Sequence, residues 1–157
     1  MKIILISVGK TDDPFFSKII EQYNRRVNFY IEFEIKTVPD VKNTKSLSEK
    51  EQKIQEGNSI LKLLQPSDHI VLLDDKGKQY SSVEFAGFIE KRTHYVHKRL
   101  VFIAGGPYGF SQDMYDKANE RFSLSKMTFT HQMVRLVFTE QLYRALTILN
   151  NEPYHHD

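Results

Sequence analysis

The sequence predicts an α/β fold with a mostly parallel sheet and helices on both faces. Three observations carry that expectation. Short apolar runs at residues 2–8, 69–74 and 100–104 lack polar alternation, the pattern of strands covered on both sides. Helix-start signals follow the strand-like segments: Pro14 after two aspartates, Ser48 with Glu51, and Ser81 with Glu84. The order strand then helix recurs about five times, as right-handed crossovers between parallel strands require.

Lys2 to Val8 is a buried strand closed by Gly9. Asp12 or Asp13 caps the next helix, with Pro14 at its first position and Phe16, Ile19, Ile20, Tyr23 and Val27 on one face. Ile31, Phe33 and Ile35 alternate with charged residues, giving a half-exposed strand near an edge that Pro39 ends. Residues 40–50 are polar and read as a mobile linker. A capping box at Ser48 opens a helix carrying Ile54, Leu61 and Leu64 inward; Gly57 inside it costs about 1 kcal/mol relative to Ala. His69 to Asp74 is the second buried strand, with Asp75-Lys76-Gly77-Lys78 as a turn. Ser81 opens a helix that buries Phe85, Phe88 and Ile89, and Leu100 to Ala104 is the third buried strand. Ser111 caps a short helix, and Arg121 to Leu124 is a short strand. A last helix runs from about His131 to Leu149, leaving the tail Asn150–Asp157.

Composition removes whole classes of function. A chain of 157 residues fits one domain and buries about 70% of its unfolded surface without staples. It has no cysteine, which excludes disulfides, zinc fingers, iron–sulfur clusters and thiol catalysis. No apolar run approaches the roughly 18–20 residues of a membrane span, and the N-terminus lacks the pattern of a signal peptide, so an intracellular, soluble protein is expected. The net charge is +2, with one excess basic residue in each half of the chain, which permits a nucleic-acid partner without demanding one.

In parallel α/β sheets, ligands bind beyond the carboxyl ends of the strands, where strand order switches. That principle selects three segments. One is the turn after Leu72 and Leu73. The second is the loop Gly105-Gly106-Pro107-Tyr108-Gly109, whose glycines admit a ligand close to the backbone or serve a tight turn alone. The third is Leu124-Ser125-Lys126-Met127-Thr128-Phe129-Thr130-His131. It lacks Gly and Pro, and its apolar side chains among hydroxyls suit either an apolar ligand or a buried connector. Neither dinucleotide nor Walker phosphate fingerprints are present. On the last helix, Arg135 and Arg144 are nine positions apart and so fall on opposite faces; Glu140 is placed to pair with Arg144. The tail Pro153-Tyr154-His155-His156-Asp157 holds an aromatic and two imidazoles; as a terminus it would by default fray. A metal site would need a third ligand, and to propose His131 or Asp157 for it would be speculation.

Together, the opening Met-Lys-Ile-Ile-Leu-Ile-Ser-Val-Gly-Lys, the glycine loop, Leu124 to Gln132, Glu140-Gln141-Leu142-Tyr143-Arg144-Ala145 and Pro153-Tyr154-His155-His156 closely resemble the RlmH family. These are SPOUT-class methyltransferases that act on N3 of a pseudouridine in large-subunit ribosomal RNA. The likeness covers essentially the whole chain, although about Asn43 to Ile60 carries no signature. It implies a single domain with a C-terminal trefoil knot, a cytoplasmic homodimer, S-adenosyl-L-methionine as cofactor and no metal. It further implies a cofactor pocket from Leu72, Leu73, Gly105, Gly106, Leu124, Ser125, Lys126, Met127, Thr128 and Phe129. An imide nitrogen must lose its proton to attack. His155 is the first candidate to accept it or to orient the substrate, with Tyr154 stacking on the base and Arg144 stabilising charge. Arg135 and His131 are the candidate RNA contacts. A non-catalytic ribosome-binding module and a flavodoxin-like nucleotide binder are the rival readings; the missing phosphate loop counts against the second.

Overall fold

In the computed structural model, which describes residues 1–156, the chain begins with β1 (Lys2–Val8), α1 (Pro14–Asn28) and β2 (Phe33–Val38). A 3-10 turn over Thr44–Ser46 leads to α2 (Glu49–Leu61), β3 (Asp68–Gln79) and α3 (Ser82–Tyr95). Then come β4 (Arg99–Ala104), α4 (Gln112–Lys117), β5 (Glu120–Ser123) and α5 (His131–Leu149). Asp157, counted above in the tail and as a conceivable ligand, lies outside the described residues.

The five strands form one sheet in the order β2-β1-β4-β3-β5, and every neighbouring pair is parallel. Alternation along β1 divides the core. Ile3 and Leu5 join Val27, Phe85, Phe102, Phe138 and Leu142 beneath α1, α3 and α5. Ile4, Ile6 and Val8 join Ile60, Leu72, Ile103 and Met114 beneath α2 and α4. The first core is rich in aromatics: Phe102 lies 4.7 Å from Phe138, and Phe85 stacks 4.9 Å from Phe122. Both serine capping boxes form, with each serine hydroxyl accepting from the backbone N–H three residues on.

Three expectations need correction. The predicted turn at residues 75–78 is instead a continuation of β3, which shifts register against β5 between Leu73 and Lys78. Gly77 makes this possible, because a Cβ there would lie 2.7 Å from the backbone of Phe122. Ile54 does not point inward; it is exposed, and α2 instead buries Gln52, Glu56, Gly57 and Ile60. Gly57 lets the helix settle on Ser111 and Met114, where a Cβ would meet the Ser111 hydroxyl at 2.7 Å. On α1, Ile19 also turns to solvent, while Ile20 and Val27 are buried.

Gly77→Ala forces a methyl against backbone that cannot yield. It should cost about 1–3 kcal/mol, read as a lowered midpoint in urea unfolding.

Candidate functional site

The middle of β3 at its register shift, the carboxyl end of β4 and the segment after β5 enclose a cavity of about 370 Å3. The glycine loop forms one wall. Gly109 has φ of 82°, and its N–H donates to the Gly106 carbonyl at 3.2 Å, closing a tight turn. Gly105 lies against the buried Phe110 ring, which a Cβ would approach to 3.0 Å. The opposite wall turns without Gly or Pro because Ser125 supplies the bonds. The Ser123 hydroxyl donates to the Ser125 carbonyl at 3.0 Å, and the Met127 N–H donates to the Ser125 hydroxyl at 3.0 Å.

Leu73, Gly105, Gly106, Leu124, Ser125, Met127, Thr128 and Phe129 all line this cavity, so the structure brings these candidates together. Leu72 and Lys126 do not join them. Leu72 alternates to the other face of the sheet and is buried in the α2/α4 core, and Lys126 is exposed beyond the lining. Sequence reasoning missed Asp74 and Tyr115, which also line it. Burial works against ionisation of Asp74, but the Lys76 N–H at 2.9 Å and the Tyr115 hydroxyl at 2.8 Å outweigh it and hold the carboxyl below its ordinary pKa. Burial, then Asp74, pushes Tyr115 up to about 12.

A second cavity, about 810 Å3, shares the wall formed by Ala104–Pro107, Thr128 and Phe129. Its far side carries Ser7, Asp40, Gln52, Glu56, His131 and Gln132. Glu56 is 4% exposed, and its Oε1 accepts from Gln52 at 3.0 Å. Its Oε2 has no hydrogen-bond partner among the described residues. Burial raises the Glu56 carboxyl above the ordinary carboxylate range, more than Gln52 lowers it, and Asp40 adds to the rise. The only sequence signal for this acid was a glycine next to it within a helix.

Arg135, offered above as an RNA contact, is 1% exposed. Its Nε donates to Ser7 at 2.7 Å, Nη1 to Thr11 at 2.6 Å, and Nη2 to the carbonyls of Val8 and Gly9. Burial lowers its pKa, with Asp40 and Asp12 opposing. It is a brace between α5 and the exit of β1, using four of its five N–H donors and buried away from any phosphate. His131, by contrast, is exposed at the start of α5 and lines the second cavity.

The tail does not fray. Tyr154 stands 4.7 Å from the Tyr143 ring, shares a 3.1 Å hydrogen bond with the Tyr23 hydroxyl, and donates to Glu140 at 3.1 Å. Arg144 pairs with Glu140 at 2.6 Å, covers the Tyr154 ring at 4.7 Å and lies 3.3 Å from His155 Nδ1. The Glu140 hydrogen bond raises the Arg144 pKa, and burial raises that of Tyr154. These three candidates form one cluster, but not at the cavities of their own chain. From His131 to Arg144, α5 rises about 20 Å. Among the described residues, no three His, Asp or Glu side chains converge as metal ligands.

Arg135→Met strands two buried carbonyls, at about 1–3 kcal/mol each. The variant should therefore lose about 2–6 kcal/mol in urea unfolding.

A family model described as "Predicted SPOUT methyltransferase" matches residues 1–155. Among curated relatives, the ribosomal RNA large subunit methyltransferase H of Parabacteroides distasonis is 59% identical over 100% of both chains. The protein of the same name from Christiangramia forsetii is 55% identical over 99% of each. A solved structure of a probable methylase family protein from Haemophilus influenzae Rd KW20 shares the fold, with a TM-score of 0.52 and 14% identity over 99% of this chain and 70% of that one. With a match running from the first residue into the histidine pair of the tail, and a sheet of like architecture beneath it, this chain belongs to the SPOUT methyltransferase family.

Proposed function

We propose that the chain acts as one SPOUT domain that methylates N3 of a pseudouridine in large-subunit ribosomal RNA, working in the cytoplasm on assembled ribosomes as a homodimer. The observation that carries this reading is the 370 Å3 cavity between the glycine loop and the Ser125 turn. Its size suits a nucleoside-sized ligand. Its walls offer apolar side chains from Leu124, Met127 and Phe129, bare backbone at Gly105 and Gly106, and the Asp74 carboxylate. That set fits S-adenosylmethionine, which supplies an electrophilic methyl on sulfur when bound. The backbone of the two loops holds the donor, Asp74 accepts from its hydroxyl or amino groups, and the apolar side chains exclude water. Rate enhancement then comes mainly from aligning the acceptor nitrogen with the methyl group.

The position of the tail supports a dimer. Arg144, far along α5, and the tail residues Tyr154 and His155 packed against it lie away from the cavities of their own chain, so they serve the site of a second copy, where Tyr154 stacks on the base and His155 orients it. Phe15 and Ile19 on α1 and Met133 on α5 are exposed apolar residues, and the Asp13 N–H bond to Gln132 joins the two helix starts into one face. That face fits a second copy. The return of the chain from β5 at one edge, through α5, to β1 suits the trefoil knot of the family. A net charge of +2 per chain neutralises few phosphates, which favours recognition of a folded ribosomal surface over free RNA.

Ribosomes lacking the modification, incubated with the protein and radiolabelled S-adenosylmethionine, should take up label in large-subunit RNA, with or without a chelator. No transfer, and no calorimetric heat with the donor, would sink the reading. A shared site makes a second demand: His155→Ala and a cavity variant, Gly105→Val, should each be inactive alone. Mixed dimers should recover up to about a quarter of the sites, since random pairing makes about half of the dimers heterodimers and each of those holds one intact composite site of its two.

A further inference from the structure

We infer that the second cavity receives the acceptor base and that Glu56 is the catalytic residue that takes its proton, an assignment that rests on the methyl transfer proposed above. The cavity shares Ala104–Pro107, Thr128 and Phe129 with the donor cavity, so a ring held there lies next to the bound donor along that shared wall. Among its polar side chains, Glu56 is set apart by an oxygen that is sealed from solvent and has no hydrogen-bond partner among the described residues. Leaving such an atom unpaired costs free energy, so its retention calls for a partner that arrives with the ligand. In the ionised form that can take a proton both oxygens accept, so the partner is a donor, and the N–H of an imide ring is one. The Glu56 oxygen rests where a Cβ on Gly106 would sit, 2.2 Å away, so glycine at 106 is what admits it to the wall. Turning the side chain off Gly106 presents Oε2 to the cavity.

The step balances without a further reagent. The N3–H proton passes to Glu56 Oε2, the nitrogen pair freed by that transfer forms the N–CH3 bond, and the C–S bond breaks with its pair remaining on sulfur as a neutral thioether. A carboxyl raised by burial is a better proton acceptor than an ordinary one. The charged groups facing it are Asp40 from the segment after β2, Lys53 from its own helix and His131 from the start of α5.

The test uses the full-length protein with ribosomes lacking the modification. Glu56→Gln keeps the shape and removes the acceptor, and it should lower the single-turnover rate about 10²–10⁴-fold while calorimetric donor affinity stays unchanged. The wild-type rate should rise with pH through the Glu56 transition; that step should vanish in Glu56→Gln and persist in His131→Gln. Glu56→Asp should keep the step at a reduced rate. Without any ligand, carboxyl-carbon NMR of the wild type should show Glu56 titrating above ordinary glutamates. The folded state binds the extra proton between those two pKa values, so ionising Glu56 destabilises the fold as pH rises; Glu56→Gln should therefore be at least as stable at neutral pH. A Glu56→Gln variant that keeps the rate, keeps the pH step or loses donor affinity overturns the assignment, as does an ordinary Glu56 titration. A wild type that neither binds the donor nor transfers label instead overturns the proposed function.

Discussion

The guanidinium of Arg135 is the interaction on which the rest of this structure depends. It reaches from α5 into the exit of β1 and spends its donors on two hydroxyls and two carbonyls. A buried cation is tolerable only when such bonds replace its hydration. Here the bonds also fix a position: α5 begins at His131, so holding Arg135 fixes where the Ser125 turn must arrive and how wide both cavities are.

Around that brace, each wall of the site uses a different device for the same end, a backbone that turns sharply without solvent. The glycine loop does so through the left-handed Gly109, whereas the Ser125 segment does so through side-chain hydroxyls that imitate backbone groups. β3 stays in the sheet through its irregularity because Gly77 lets it press against Phe122. Electrostatics then distinguishes two acids near the strand ends. Asp74 is held ionised by an N–H and a hydroxyl, whereas Glu56, with a single amide for company, is pushed towards its neutral form.

Much of this was legible in the sequence. Parallel strands declare themselves by unbroken apolar runs, and α5 began and ended where its pattern said, because Thr130 caps it and its apolar stripe is continuous. The glycine loop and the Ser125 segment were found because a topological rule points at strand exits whatever their chemistry. What escaped notice depended on long-range contact. Burial of Arg135 is invisible locally, since an arginine on a helix ordinarily meets solvent. Glu56 sat in a charged helix where Ile54 looked like one of the inward residues; α2 rotates instead to set Gly57 on α4. The docking of Tyr154 needed Tyr23, 131 residues away, which no spacing rule connects.

Phe138 and Leu142 on α5 fill the core between α1 and α3, and Arg135 bonds to Ser7 across 128 residues of chain. The order of biosynthesis therefore matters. Until the last few dozen residues emerge from the translating machinery, β1 has its polar exit open and one core lacks a lid. Contacts of such long separation are won late and slowly. A nascent chain that still lacks α5 thus has neither cavity fully walled, and the docking of that one helix completes both together.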